Sequence, residues 1–180
     1  IESHFASYPL QLTFFRQTEL NGTAPALLLA RGFVGNHPFL LTFGDILTSV
    51  DDYRRMWSRL TADPHAVAVA VAAVNHVEDP WQGAAVYEQD GVLTRIIEKP
   101  APGTSTTHWN SAGSYVFRPE VFKQLERVPL SPRGEYEVTS AVSRMIQEGN
   151  RLLLYPLQGG WRDVGRPSDL EAAERLLSED

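Results

Sequence analysis

Four short segments of this chain carry side chains able to do chemistry, and each lies where an apolar run gives way to a turn. Asp45 closes Phe39-Leu40-Leu41-Thr42-Phe43-Gly44, and Asp163 lies within Trp161-Arg162-Asp163-Val164-Gly165-Arg166-Pro167. Carboxylates at the ends of strands can ligate a divalent cation, and magnesium is commonly held by one or two of them together with substrate phosphates. Each also has a plainer role, Asp45 in a turn and Asp163 as a cap for the last helix, although Ser168 already offers itself as that cap. Glu98-Lys99-Pro100 ends another strand-like stretch. There a glutamate can accept from sugar hydroxyls while a lysine presents a point charge to a phosphate, and the competing reading is a surface ion pair. In Gln17-Thr18-Glu19-Leu20-Asn21-Gly22-Thr23-Ala24, Gly22 and Thr23 lead into a helix whose first amides are unpaired. Those amides suit a base or a phosphate, and Thr23 equally suits a simple cap.

The surrounding pattern says what must position these groups. Phe39–Phe43 is a short unbroken apolar run, the form of a central strand whose end meets a loop, and Ala66–Val74 is a second fully buried strand. Gln11–Phe15 alternates weakly and reads as a further strand. Gly83–Tyr87 and Gly91–Glu98 form a hairpin around Gln89-Asp90-Gly91, since Asp-Gly supplies the positive φ that a tight turn needs. Helices are expected over Ala24–Arg31, Asp51–Arg59, from Pro119, over Tyr136–Gly149 and over Ser168–Leu177, with strands at Ser114–Phe117 and Arg151–Pro156. Ala101–Thr107, rich in Pro, Gly, Ser and Thr, reads as a mobile loop. Strands alternating with helices at these spacings predict a three-layer α/β/α fold around a mainly parallel sheet with one antiparallel excursion.

Composition removes several function classes. With 180 residues, 43% hydrophobic and 21% charged, the chain has the bulk of one globular domain. A net charge of -6 argues against general binding to nucleic acid, which rests on many basic contacts to phosphate. The longest apolar run is about half of a membrane span. There is no cysteine, hence no disulfide framework and no thiolate metal site. His4, His37, His65, His76 and His108 fall in no metal-ligand spacing, no nucleophile elbow is present, and Glu135 and Glu137 read as the acidic start of a helix. The chain opens on Ile1 without a basic-then-apolar leader and reads as part of something longer, with the cytoplasm as the default compartment.

Taken in order, six segments resemble the sugar-1-phosphate nucleotidyltransferases, the family that includes glucose-1-phosphate thymidylyltransferases and N-acetylglucosamine-1-phosphate uridylyltransferases. They are Gln17–Ala24, Phe39–Asp45, Glu98-Lys99-Pro100, Ala112-Gly113-Ser114-Tyr115-Val116-Phe117, Gly134-Glu135-Tyr136-Glu137-Val138-Thr139 and Trp161–Pro167. The resemblance implies transfer of a nucleotidyl group from a nucleoside triphosphate, dTTP or UTP, to a sugar 1-phosphate, giving a nucleotide sugar and pyrophosphate. It implies Mg2+ held by Asp45 and Asp163, a pyrimidine read by Gln17 with the backbone at Gly22 and Thr23, and a sugar phosphate contacted by Gly83, Glu98 and Lys99, with Lys99 as the catalytic cation. Relatives carry Asn-Ala-Gly where this chain has Asn110-Ser111-Ala112-Gly113, so the sugar-contacting place falls to Ser111 with Asn110 beside it. The family's opening glycine-rich loop and Pro-Lys, which grip the triphosphate, match nothing in Ile1–Gln17. Residues 1–180 are therefore expected to be one nucleotidyltransferase domain lacking its first strand and triphosphate-binding loop, and inactive by themselves. Self-association is left open. Two rivals are a silent relative that binds sugar nucleotides and regulates a partner, and a glycosyltransferase of similar layering. The rival glycosyltransferases favour Asp-x-Asp at the metal strand, where this chain has only Asp45.

Overall fold

The computed structural model describes residues 2–5, 7–62 and 67–178, with side chains as far as Arg175. In chain order the elements are α1 (Thr23–Leu28), α2 (Arg31–Val34), β1 (Phe39–Thr42), β2 (Ile46–Thr48), α3 (Val50–Thr61), β3 (Ala68–His76), β4 (Ala84–Gln89), β5 (Val92–Glu98) and β6 (Trp109–Phe117). They are followed by α4 (Val121–Leu125), α5 (Val138–Gln147), β7 (Arg151–Pro156), β8 (Trp161–Asp163) and α6 (Leu170–Ser178). Single 3-10 turns occupy Pro80–Gln82 and Pro167–Asp169.

The small and β-branched residues of β3 are buried on both faces, so this strand divides the interior in two. Ala70, Ala72 and Val74 point into a core shared with α1, α4 and α5, while Ala68, Val71 and Ala73 meet Met56 and Leu60 of α3 on the other side. The expected three layers follow from this division. Six strands pair in the order β1-β6-β3-β7-β5-β4, and β4 also reaches β6 through Ala85 opposite Asn110. Among the described residues only β3 and β7 pair in parallel, yet β1, β3, β4 and β7 run one way and β5 and β6 the other, four strands against two. The sheet is thus mainly parallel in direction and mixed in its pairing. β2 and β8 form a separate two-stranded antiparallel ladder.

Along β6 the neighbours change. Residues Ser114–Phe117 pair with β1, whereas Asn110 lies opposite β4, and between them Gly113 adopts φ +73°. A side chain at 113 would meet Ile46 and Phe43 at 3.0–3.1 Å, so glycine lets both strands converge there.

A buried carboxylate fastens the β2–β8 ladder to the core. Asp52, on the first turn of α3, has no exposed surface. Its Oδ1 accepts from the Tyr155 hydroxyl at 2.9 Å and the Gln158 amide at 3.1 Å, and its Oδ2 from the Ser49 hydroxyl at 3.0 Å and the Gly159 amide at 2.9 Å. Ser49 in turn caps α3 by accepting from the Asp52 amide.

The Asp-Gly hairpin forms as expected, with Asp90 at φ 52° and Gly91 at φ 74° joining β4 to β5. Other expectations shift. Gln11–Phe15 forms no strand, and Leu12, Phe14 and Phe15 lie exposed, because alternation alone gives a strand nothing to pair with. The strand expected from Ala66 is described from Ala68 onward; Ala66 and His65 lie outside the described residues. The helix expected from Tyr136 starts at Val138, since Tyr136 spends its backbone on the entry to α1, accepting from Ala24 in its first turn and donating to Asn21 before it, both at 2.9 Å. Ser168 lies inside the turn Pro167–Asp169 instead of capping α6, and Asp169 closes that turn by accepting from the Arg166 amide. The loop 101–107 is tethered, its Gly103 amide donating to Asp79 at 2.7 Å and its Thr107 hydroxyl to the Val86 carbonyl at 2.8 Å.

Burial alone would raise the Asp52 carboxyl above its ordinary value, but its donors more than offset this and hold it below 3.8. A lowered carboxyl stabilises the fold above its unfolded value, and that stability is lost as pH falls through the folded one. Urea midpoints measured from pH 6 downward should therefore drop more steeply below about pH 4 in the wild type than in Asp52→Asn, and Tyr155→Phe should cost about 1 kcal/mol at neutral pH.

Candidate active site

A cavity of about 610 Å³ opens where β6 changes neighbours, bounded by the ends of β4, β5 and β8. Gly83, Glu98, Lys99, Asn110, Ser111 and Asp163, distant in sequence, all line it. Beside it, sharing Phe43, a groove of about 660 Å³ runs between α1 and β1 and is lined by Thr23 and Asp45. Gln17 and Gly22 border neither space. The Gln17 amide donates to the Gly22 carbonyl at 3.0 Å and to Asn21 Oδ1 at 3.3 Å, which folds the loop upon itself. Thr23 carries its hydroxyl away from α1 and accepts from the Val138 amide at 3.0 Å, so that it caps α5 across 115 positions.

The β2–β8 ladder brings the two aspartates together. Ile46 is opposite Asp163, and the Val164 amide donates to the Asp45 carbonyl at 2.8 Å. Burial by its neighbours, then the charges of Asp45 and Asp169, push the Asp163 carboxyl above its ordinary value, and Lys99 partly opposes them. The Asp163 side chain retains solvent access, so water screens much of this repulsion. Two carboxylates that repel, Asp163 open to the cavity and Asp45 to the groove beside it, could hold a hard divalent cation that keeps further positions for phosphate oxygens or water. Among the described residues no group of three or more His, Asp or Glu is so arranged.

The opposite wall carries Glu98 and Lys99. Lys99 holds φ +41°, a left-handed backbone uncommon outside glycine, and its amide donates to the Gly83 carbonyl at 2.7 Å. Glu98 accepts from the Thr139 hydroxyl at 2.9 Å and from Arg133 at 3.3 Å, and Arg133 also reaches Glu137 at 3.0 Å. Burial pushes the Glu98 carboxyl up; Thr139 opposes this, Glu137 adds to it, and Arg133 and Lys99 draw it back. Asn110 is committed to the frame. Its Oδ1 accepts from the Ala84 amide at 3.1 Å, its Nδ2 donates to Asn75 and to the Ser111 carbonyl, and it fills the space that a side chain at Gly83 would need. Ser111 faces the cavity with its hydroxyl 2.6 Å from that of Tyr115, whose phenol complete burial pushes up to about 12.

A family model for nucleotidyl transferases matches residues 2–180. The chain belongs to the nucleotidyl transferase family. It is 32% identical over 176 residues to a low-salt glycan biosynthesis nucleotidyltransferase of Haloferax volcanii, covering 97% of this chain and 48% of that protein. It is 30% identical over 169 residues to a UTP–glucose-1-phosphate uridylyltransferase of the same organism, covering 94% of this chain and 68% of that one. Among solved structures, a UDP-glucose pyrophosphorylase from Acinetobacter baumannii superposes with a TM-score of 0.71 at 25% identity, over 89% of this chain and 57% of that chain. The chain thus spans about half the length of several of the proteins it matches.

Within this nucleotidyl transferase domain, sequence reasoning missed Arg133, Thr139, Tyr115, Arg162 and Arg166. Arg162 and Arg166 line the cavity and form no ion pair among the described residues, so two further cations border it. Arg133 directly precedes the Gly134–Thr139 segment, the one local signal that could have found it; its use becomes visible only when α5 packs against β5. Since a carboxyl raised in the fold contributes stability at low pH and loses it as pH rises through the folded value, ionised Asp163 costs stability at neutral pH. Scanning calorimetry in chelator at pH 7 should therefore give Asp163→Asn a higher melting temperature than wild type, with the difference shrinking below pH 4.

Proposed function

We propose that this chain forms most of the catalytic domain of an enzyme that moves a nucleotidyl group from dTTP or UTP to a sugar 1-phosphate, releasing pyrophosphate. The observation that carries the reading is one cavity walled by Glu98 and Lys99 on one side and by Asp163, with Asp45 beside it, on the other. Glu98 would accept from sugar hydroxyls, with Ser111 and the Gly83 backbone completing the sugar side, and Lys99 would place its charge on the sugar's phosphate. Gln17 and the amides at Gly22 and Thr23 would read the pyrimidine once the Gln17 amide leaves the Gly22 carbonyl, Thr23 being the one of the three that lines the groove. Asp45 and Asp163 would hold Mg2+, which when bound neutralises charge on the phosphates of both substrates. A phosphate oxygen of the sugar phosphate then attacks the α-phosphorus of the triphosphate with pyrophosphate leaving, and no covalent enzyme intermediate is needed. Catalysis by these residues is positioning and charge neutralisation.

The grip on the triphosphate belongs, in this reading, to a strand and loop supplied from outside residues 1–180. The unpaired edge of β1 and the groove between α1 and β1 are where such a strand would pair and such a loop would lie, and their openness supports the proposal. A net charge of -6 argues against nucleic acid as a partner. No helix among the described residues is long and apolar enough to cross a membrane, and a cytoplasmic setting suits the triphosphate substrate.

The test is pyrophosphate release by the full polypeptide across a matrix of nucleoside triphosphates and sugar 1-phosphates with Mg2+. Turnover with a pyrimidine triphosphate should vanish in Asp45→Asn and Asp163→Asn, and Lys99→Ala should lower kcat/KM by about a hundredfold or more. Sugar-nucleotide binding without turnover for any pair would replace this reading with a silent regulatory module.

A further inference from the structure

Asp52 borders neither cavity, so it touches no substrate in the reading above. Its carboxylate is also saturated: an ionised carboxylate has about four lone-pair sites, and four donors fill them. A group so engaged is neither a ligand nor a base. What distinguishes it is where its donors come from. Ser49 directly follows β2, Gln158 and Gly159 come just before β8, and Tyr155 belongs to β7 of the main sheet. The clamp therefore closes one end of the β2–β8 ladder and ties that end to the sheet.

The other end of the same ladder carries Asp45 and Asp163. Three register pairs separate the two ends: Thr48 opposite Trp161, Leu47 opposite Arg162 and Ile46 opposite Asp163. Four residue steps of extended chain, roughly 13 Å, separate Ser49 from Asp45. At the aspartate end the Val164 amide donates to the Asp45 carbonyl, and from the rung opposite Thr48 the Trp161 indole ties β8 to the main sheet by donating to the Ala112 carbonyl at 2.9 Å. Two strands this short have little stiffness of their own, so whatever fixes their far end sets how closely their near ends approach.

We infer that Asp52 is a positioning residue for the divalent cation: by clamping the base of the β2–β8 ladder it sets the separation of the Asp45 and Asp163 carboxylates and hence their affinity for metal. The inference rests on the reading of those two aspartates as the metal pair. Outer groups that orient metal ligands change affinity by about ten- to a hundredfold when removed. Asparagine at 52 keeps the shape but turns an NH2 towards donors, leaving at least one of the four without an acceptor.

Mn2+ alone, titrated into the full polypeptide and followed by electron paramagnetic resonance, gives a readout independent of turnover. Asp52→Asn should weaken Mn2+ binding about tenfold while circular dichroism stays native. A folded Asp52→Asn that melts earlier but binds Mn2+ like wild type would reduce Asp52 to a structural lock and overturn the inference. Should Asp52→Asn fail to fold, the double variant Ser49→Ala, Tyr155→Phe removes the two side-chain donors and leaves both amides. It should then weaken Mn2+ about threefold or more, and an unchanged affinity would overturn the inference equally. Asp163→Asn separates the two levels: if it leaves Mn2+ binding intact, the metal-pair reading itself falls and the role of Asp52 falls with it.

Discussion

The structure depends on the point at which β6 exchanges one neighbour for another. A strand that kept a single partner along its length would leave a continuous sheet with nowhere for a ligand to enter. Here β1 stays with β6 only as far as Ser114, and β4 arrives at Asn110. The left-handed backbone of Gly113 lies in the gap. Backbone groups released by such an exchange must find other partners. The Gly113 carbonyl accepts from the Phe43 amide at 3.1 Å, that of Ala112 accepts from the Trp161 indole, and the Ala84 amide donates to the Asn110 side chain. The cavity is what remains once these substitutions have been made, and its walls are the segments that make them.

The charges around the cavity are arranged with a similar economy. Asp163 is held near Asp45 and Asp169, Glu98 near Glu137, and Lys99 keeps a left-handed backbone in the wall it shares with Glu98. The repulsion at Asp163 does not favour the folded chain, whereas Arg133 already bridges Glu98 and Glu137. The core that tolerates them is dense: β3 is buried on both faces and Tyr115 stacks on Phe117 with centroids 5.1 Å apart. Strain at the site is carried by packing elsewhere.

Much of the fold was legible in the sequence because it is written locally. Unbroken apolar runs gave β1 and β3, and Asp90-Gly91 gave the hairpin, since each depends on neighbours a few residues away. Of the candidate residues named from the sequence, six line one cavity. What escaped depends on partners far along the chain. Gln11–Phe15 has the alternation of a strand but pairs with no edge; Thr23 looked like a cap for the helix it opens and instead caps one that begins at Val138. Asp52 gave no signal, because an aspartate in the first turn of a helix is ordinary until Tyr155, Gln158 and Gly159 come to meet it. Asn110 could be named but not understood, since its three partners lie on β3, β4 and its own strand.

The open side of β1 has a practical meaning in terms of colloidal behaviour. Leu40 is 38% exposed on this strand, Leu29 and Phe33 lie exposed on the helices that precede it, and the unpaired Gln11–Phe15 segment displays further apolar side chains. Proteins ordinarily blunt a free strand edge with lysine, proline or a bulge, and Phe39-Leu40-Leu41-Thr42 carries none of these within it. Left uncovered, such an edge is a template for accretion of like chains, so the same unpaired groups proposed to receive a strand also set how concentrated a solution of this chain can become before it aggregates.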